Sequence, residues 1–426
     1  MRLRTSLVGA VAACALTLSA APGPAAATVS VSGPIAPACS WSERGYRYDN
    51  SAYPETAARY WIMRFKKQAG LTIRVNGQYP EARYSSLNVY DSTSSSFTTD
   101  GVSSGLVDHR IDPDPGSTNP WRQKAAPGGH FTVRVIDASA AGKRNTLPLA
   151  PAGTAELTDG SLIFRTYLDS APVQLPDVTF EKDGRNVAVP LCSDAQAPQT
   201  AERPAPATDR VRAMETGSAR PAGTSGAAPV VEFSRKSGAG QYPNADAAYL
   251  SARFTPPPAG QVLVVRGKAP VALRGGHPQP WPTRRADVRF WSLCDNVVTP
   301  PGPVVVNPLP GGGVDTGCRN DEQIEVAQGG TYTFVVGTEA QRAAVDRIPG
   351  ATFVPVSAAH PNLTHLLVLR QLIAAEHFRG AIQNVPLDSQ PADAQRLMGS
   401  YYPQASYCSL DSLLHKRHGR TCAPAH

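Results

Sequence analysis

The chain has 426 residues, of which 18% are charged, and a formal net charge of +7. This length predicts two or three domains, and each half is long enough to bury a core of its own. The positive charge is thinly spread and includes no basic run. Composition therefore argues against a nucleic-acid-binding protein and permits only mild attraction to anionic polymers.

The first 27 residues have the form of a secretory signal peptide. Two arginines precede an apolar stretch over about residues 7–21, and small residues lead to a cleavage site after Ala27. An alternative takes Cys14 as the lipidated N-terminus of a lipoprotein, although the apolar run continues past it. No later segment reaches the roughly 18 apolar residues of a membrane span. We therefore expect a secreted protein, extracellular or envelope-associated, without a transmembrane segment.

A motif of the form YPxxxAxYxxxRF occurs twice, at residues 53–65 and 242–254. Further pieces match in the same order: RYSSL with RFWSL, GHFTVRV with GTYTFVV, and SLIFR with LLVLR. Gly77 likewise corresponds to Gly267. The pieces alternate apolar and polar residues, which is typical of strands with one buried face. The sequence therefore predicts a tandem duplication of one β unit.

The predicted strands are short and separated by turns rich in proline, glycine, asparagine and aspartate, which favours antiparallel β-sandwiches. We expect a mainly β protein with one sandwich domain over residues 28–193 and a second over residues 230–426. Residues 194–229 contain few bulky apolar side chains and predict a flexible linker. Helices are expected only near the C-terminus. The segment SQPADAQRLMG has Pro391 in its first turn and Gly399 as its stop, and SLDSLLHKRHG follows it.

Removal of the leader leaves six cysteines. An even number in an exported chain suggests three disulfides. The pairings that their positions favour are Cys39 with Cys192, Cys294 with Cys318, and Cys408 with Cys422. No CxxC pair and no Cys/His cluster at zinc spacing occurs, so we expect neither a metal site nor a cofactor.

Several strings in the chain are similar to those of known proteins. YPEARYSSLNVYD, DPDPGSTNPW, RFWSLCDN and AIQNVPLDSQPADAQ resemble a family of secreted bacterial proteins of unknown function. More distantly, RYSSLNVYD followed by LPLAP and DGSLIFRTYL is similar to a widespread bacterial β-sandwich domain of unknown function. The resemblance covers most of the mature chain and implies the sandwich fold, but it implies no activity and no catalytic residues.

The richest polar stretch lies between residues 90 and 121. Its acids Asp91, Asp108 and Asp112 could act as acid and base in glycan cleavage, which needs two carboxylates roughly 5 to 10 Å apart. They could also ligate calcium, although no DxDxDG spacing is present. Aspartate, serine, proline and glycine also build ordinary turns, because aspartate caps backbone amides and proline presets φ. No GxSxG motif supports a serine hydrolase.

A second acidic and basic group lies near the C-terminal end, where His360, His365, Glu376 and His377 are close in sequence. Their spacing fits neither HExxH nor a zinc finger. We therefore interpret them as ordinary surface or capping residues rather than metal ligands.

Arginines recur at equivalent places in the two halves, as Arg64 with Arg253, Arg83 with Arg289, and Arg165 with Arg370. Because arginine recognises carboxylate and phosphate groups, an arginine-lined groove would suit an acidic glycan. The candidate ligand-binding residues are Arg83, Arg165, Arg289, Arg370 and Trp121. In the alternative interpretation each arginine pairs with a nearby carboxylate or covers a sheet with its aliphatic stem.

Together these features predict a non-catalytic extracellular or envelope binding module for a polysaccharide or another anionic wall polymer. The alternative is a secreted glycan hydrolase or lyase that uses the acidic residues of the segment 91–114.

Overall fold

The protein was analysed as a computed structural model that describes residues 34–125, 128–193, 230–237 and 241–415. Strands dominate these residues and form four main sheets, labelled A to D, and two small hairpins. The mainly β prediction is therefore confirmed. The predicted leader and the predicted linker lie outside the described residues.

The first sandwich contains sheets A and B, with strands numbered in chain order. In spatial order, sheet A consists of β1 (Ser42–Arg44), β2 (Ala58–Lys66), β10 (Asp159–Asp169), β4 (Ala82–Tyr90) and β7 (Gly105–Val107). Sheet B consists of β12 (Arg185–Val189), β11 (Asp177–Lys182), β3 (Thr72–Gln78), β8 (His130–Ile136) and β9 (Thr146–Pro148). The hairpin is β5 (Thr98–Thr99) with β6 (Val102–Ser103).

The second sandwich contains sheets C and D. Sheet C consists of β13 (Ala247–Phe254), β21 (His365–Ala374), β15 (Val288–Val297) and β18 (Cys318–Asn320). Sheet D consists of β20 (Ala351–Pro355), β19 (Thr331–Gly337), β14 (Gln261–Lys268) and β22 (Gln404–Ser409). The hairpin is β16 (Val306–Pro308) with β17 (Val314–Thr316).

The two sandwiches repeat one strand order. In sheets A and C, the order β2-β10-β4-β7 matches β13-β21-β15-β18. In sheets B and D, the order β9-β8-β3-β11 matches β20-β19-β14-β22. The neighbours are antiparallel except for β8 with β9 and β19 with β20, which are parallel in both sandwiches. Each residue of the repeated motif thus has a structural counterpart in the other half.

Each sandwich closes over its own apolar core, to which alternate residues of both sheets contribute. The first core includes Trp61, Leu87 and Phe164 from sheet A with Ile73 and Val133 from sheet B. The second includes Leu250, Trp291 and Leu369 from sheet C with Leu263 and Phe334 from sheet D.

The described helices are short. Two of them lie near the C-terminus, as predicted, and a third, of four residues, lies earlier in the chain. They are α1 (Arg342–Val345), α2 (Pro391–Met398) and α3 (Leu410–Leu414). Helix α2 starts at Pro391 and ends before Gly399, whose φ of +56° favours glycine. Its residues Ala394 and Met398 join the second core. None of the described helices has the length and apolar character needed to cross a membrane.

Two of the predicted disulfides are confirmed, Cys39 with Cys192 and Cys294 with Cys318. The first closes a loop of 153 residues and joins the two ends of the first sandwich. The second links β15 to β18 at directly opposite register positions. The predicted partner of Cys408, Cys422, lies outside the described residues.

The second faces of sheets A and C pack against each other. Strands β4 and β15 are buried along their whole length because a core covers one face and the other sandwich covers the second. An apolar contact between the sheets joins Tyr84 and Tyr167 of sheet A to Phe290 and Leu372 of sheet C. This contact face places the polar residues discussed below.

Gly77 and Gly267 show why the repeated sequence retains glycine inside a strand. Each lies directly opposite an aromatic residue of the next strand, Phe131 on β8 and Tyr332 on β19. A Cβ added at Gly77 would lie 2.7 Å from the Phe131 ring, and one added at Gly267 would lie 2.5 Å from the Tyr332 hydroxyl oxygen. The ring covers the glycine and leaves no room for a methyl group.

We therefore predict that Gly77→Ala and Gly267→Ala each lower the free energy of unfolding by about 1–3 kcal/mol, because the covering ring must shift in a packed core. Chemical denaturation followed by tryptophan fluorescence measures this change. Gln78→Ala, at the half-buried neighbouring position, serves as the control and should change stability much less. Equal effects at positions 77 and 78 would contradict the account.

Candidate functional site

Two buried arginines tie the sandwiches together by reciprocal ion pairs. Arg83 of β4 donates from Nη1 to Asp321 Oδ2 at 2.5 Å. Its counterpart Arg289 of β15 donates from Nη1 and Nη2 to the two carboxylate oxygens of Asp108, at 2.6 and 3.0 Å. All four side chains are almost completely buried. Each sandwich thus supplies an arginine to the other and receives one.

The acids of these pairs also occupy equivalent places. Asp108 follows β7 and accepts a bond from the Ser85 amide at 2.7 Å. Asp321 follows β18 and accepts one from the Trp291 amide at 3.3 Å. Burial raises the pKa of Asp321, whereas the guanidinium of Arg83 acts in the opposite direction. A fully buried ion pair of this kind holds only while both partners are present.

A second pair of arginines lies on the neighbouring strands β10 and β21. Arg370 of β21 is directly opposite Tyr249 of β13, and its guanidinium lies 5.3 Å from the centre of that ring. Nη1 of Arg370 donates to the carboxylate of Glu55, which also accepts the hydroxyl of Ser292. Glu55 comes from the first sandwich and is completely buried. The positive charge of Arg370 is thereby neutralised across the interface.

The equivalent Arg165 has the same ring contact but no carboxylate. It lies opposite Tyr60, with its guanidinium 5.5 Å from the ring centre. Nη2 donates to the Tyr90 hydroxyl at 2.7 Å and to the Tyr242 carbonyl at 3.4 Å. Burial raises the pKa of Tyr90, so its hydroxyl stays protonated. Asn244 stands where the other half has Glu55.

These two arginines line a cavity of about 160 Å³ between the sandwiches. The motif YPxxxAxYxxxRF supplies most of the aromatic lining from both halves. The lining residues that matter here are Arg165, Arg370, Tyr53, Tyr60, Tyr242 and Tyr249. Because each half contributes the same residues, the cavity exists only when the sandwiches are docked.

The cavity is strongly cationic. Its lining includes the exposed Arg44, Arg64 and Lys236 in addition to the two buried arginines, and a single acid, Asp49. Because Glu55 neutralises Arg370, four cationic groups remain against the carboxylate of Asp49. Such an excess attracts anions, and the low-polarity surroundings strengthen that attraction.

The acids proposed for catalysis are each engaged separately. Asp108 is buried in the ion pair with Arg289. The carboxylate of Asp91 accepts from the amides of Thr93 and Ser95 and so caps its own turn. Partial burial would raise the pKa of Asp112, but hydrogen bonds from Arg144 and Arg122 lower it. A glycosidase acid needs the opposite shift.

The histidine group does not form a cluster of metal ligands. His365 Nδ1 lies 2.8 Å from Asp295 Oδ2, and both side chains are completely buried. His377 Nε2 instead lies 3.5 Å from Asp287 Oδ1. The interpretation as surface residues is wrong for His360 and His365, whose side chains are buried.

One other group of potential ligands occurs among the described residues, Glu55 with Cys294 and Cys318. The two sulfurs are joined in a disulfide and so offer no thiolate.

Of the predicted ligand-binding residues, only Arg165 and Arg370 line the cavity. Arg83 and Arg289 are held in ion pairs, and Trp121 is buried, with its indole nitrogen donating to the Arg83 carbonyl at 3.1 Å. Sequence reasoning missed Tyr242, Tyr249 and the two acceptors Glu55 and Asn244. The repeated motif contains all four, so the repeat itself was the available signal.

No protein family model matches the chain, and no curated protein does. Among solved structures it is similar to an uncharacterized protein from Burkholderia cenocepacia, at 12% identity and a TM-score of 0.47, over 89% of this chain and 84% of that chain. It is also similar to the VPA0106 protein from Vibrio parahaemolyticus, at 12% identity and a TM-score of 0.39, over 84% and 91% of the two chains. These likenesses are too distant to carry an argument, so the function is argued from the site.

We predict that Asp108→Asn lowers the free energy of unfolding by about 2–5 kcal/mol, because it leaves the buried Arg289 guanidinium without its counter-charge. Asp321→Asn should cost less, because Arg83 also forms an ion pair with the carboxylate of Glu322. Equilibrium denaturation tests this. Asp112→Asn is the matched control, since its partners Arg122 and Arg144 are exposed and such pairs contribute about 1 kcal/mol or less. A loss at position 112 as large as at position 108 would refute the distinction.

Proposed function

We propose that the protein is a non-catalytic binding module that takes an anionic polysaccharide or wall polymer into the cavity between its sandwiches. The observation that carries this proposal is the excess of positive charge in the lining, where four cationic groups other than the neutralised Arg370 stand against one acid, among tyrosine rings. Tyrosine rings stack on sugar rings, and arginine and lysine attract the acidic substituents. The volume of about 160 Å³ is of the size that holds one six-membered ring, so a polymer would present a terminal or branching unit.

We further propose that the module works outside the cytoplasm and arose by duplication. The signal-peptide form of residues 1–27 and the disulfides Cys39–Cys192 and Cys294–Cys318 support export. The matched strand orders support two copies, over residues 28–193 and 230–426, joined by the linker 194–229. An exported binder of wall polymer would act in the envelope or the extracellular space.

The alternative of a glycan hydrolase or lyase gains less support. Its acids Asp91, Asp108 and Asp112 have separate partners, and none of them lines the cavity. Catalytic cleavage needs two carboxylates facing one bond. The geometry therefore favours binding over cleavage.

The proposal predicts that the mature protein binds polygalacturonate, a polyuronate probe, and that added salt weakens the binding. The double variant Arg64→Gln/Lys236→Gln should bind about three- to tenfold more weakly, because it removes two cations from the exposed part of the lining. Isothermal titration calorimetry measures the affinity. Dextran, a neutral polymer, should not bind detectably.

The matched control is Arg134→Gln/Arg185→Gln, which removes two exposed cations from sheet B without touching the cavity. This variant should keep the wild-type affinity. Equal weakening in both variants would indicate a diffuse charge effect. Release of new reducing ends from polygalacturonate would overturn the non-catalytic proposal.

A further inference from the structure

The two buried arginines of the cavity differ in their partners: Arg370 has a carboxylate, and Arg165 has none. In the second sandwich, the carboxylate of Glu55 accepts from Arg370 and Ser292. The equivalent place in the first sandwich faces Asn244, whose side-chain oxygen accepts from the Tyr84 hydroxyl at 3.1 Å and from the Asp246 amide at 3.1 Å. That oxygen therefore provides nothing to Arg165.

The donors around this place lack acceptors. Nε and Nη1 of Arg165, Nδ2 of Asn88 and Nδ2 of Asn244 are buried and have no hydrogen-bond partner among the described residues. Arg165, Asn88 and Asn244 are each at least 95% buried. Asn88 corresponds in the sheet register to Cys294, whose Sγ lies 3.3 Å from Glu55 Oε2. The unpartnered donors therefore surround the place that a carboxylate occupies in the other half.

A buried guanidinium without a counter-ion is costly, by several kcal/mol after relaxation. Asp246 interacts electrostatically with Arg165, but its carboxyl accepts the Tyr84 hydroxyl at 2.7 Å and forms no ion pair with Arg165 among the described residues. Burial raises the pKa of Asp246, which weakens it further as a counter-charge. The chain thus retains a charged, buried donor group that its own residues do not neutralise.

We propose that the first sandwich binds the carboxylate of a six-membered-ring acid, a hexuronate, through Arg165, at the place that Glu55 fills in the second sandwich. This inference rests on the proposed function and names the chemical group that the cavity selects. The carboxylate accepts from Arg165 and from the side-chain amide of Asn244, both of which line the cavity. The ring occupies the cavity beside Tyr60, which lies under the Arg165 guanidinium. Arg370, already paired with Glu55, contributes to the wall rather than to the acid contact.

The test restores in the first sandwich the arrangement of the second. Asn244→Glu places a carboxylate beside Arg165 and should weaken glucuronate binding at least about tenfold, while it raises the melting temperature, because the buried charge gains a permanent partner. Asn244→Gln has the same length without the charge and is the matched control. It should not raise the melting temperature, because its neutral amide gives the Arg165 guanidinium no counter-charge.

The probes for calorimetry are glucuronate, glucose and inorganic phosphate, each titrated into the full mature protein. Wild type should bind glucuronate and bind glucose and phosphate at least about tenfold more weakly. This comparison needs no variant, so it decides the proposal even if Asn244→Glu fails to fold.

Tighter binding of phosphate than of glucuronate would overturn the carboxylate assignment, as would undiminished glucuronate binding by a folded Asn244→Glu variant. If polygalacturonate binds but glucuronate does not, the proposed Arg165 subsite is wrong and the proposed function is retained. If neither probe binds, both proposals are wrong.

Discussion

The burial of four guanidinium groups between two sheets is the constraint on which the arrangement of this protein depends. Arg83 and Arg289 are completely buried, and each takes its carboxylate from the opposite sandwich. In either sandwich alone, these guanidinium groups would be exposed to solvent or would lack a carboxylate partner. Undocking therefore loses ion pairs as well as apolar contact, which makes the docked pair the cooperative unit. The reciprocity follows from the repeat, since a contact between two copies of one surface presents each group twice.

Sequence reasoning reached the strands because their cores obey a simple pattern. Leu87 and Val89 of β4 face the first core and alternate with Ser86 and Asn88. Helix α2 could also be predicted from the sequence, since proline and glycine mark its two ends. The positions of the cysteines in the sequence predicted the two disulfides, one joining the ends of the first sandwich and the other joining β15 to β18.

The same alternation could not reveal the site. A face of tyrosine, serine and asparagine is typical of a strand that meets water, yet in β4 this face is buried under the second sandwich. Periodicity indicates that a strand has two faces but not what covers the polar one. The acids that pair with Arg83 and Arg370 are Asp321 and Glu55, and each lies more than 230 positions away from its arginine in sequence. Only the docking of the two sheets brings them together.

The two halves of the cavity differ in how their buried arginines are partnered. In the second, Glu55 neutralises Arg370 and touches a disulfide that stands where the first half has Asn88 and Gly105, so the buried charge of this half has its counter-charge within the protein. In the first, the corresponding donors are buried without acceptors. A symmetric cavity with two acids would be stable but closed to anions, and one with none would bury two uncompensated charges. With one acid, Glu55 links the sandwiches through Arg370, and in the proposed binding mode Arg165 alone is left for an external anion. Because both sandwiches build the cavity, an anion bound there also stabilises their docking, so ligand binding and interface stability share one free energy.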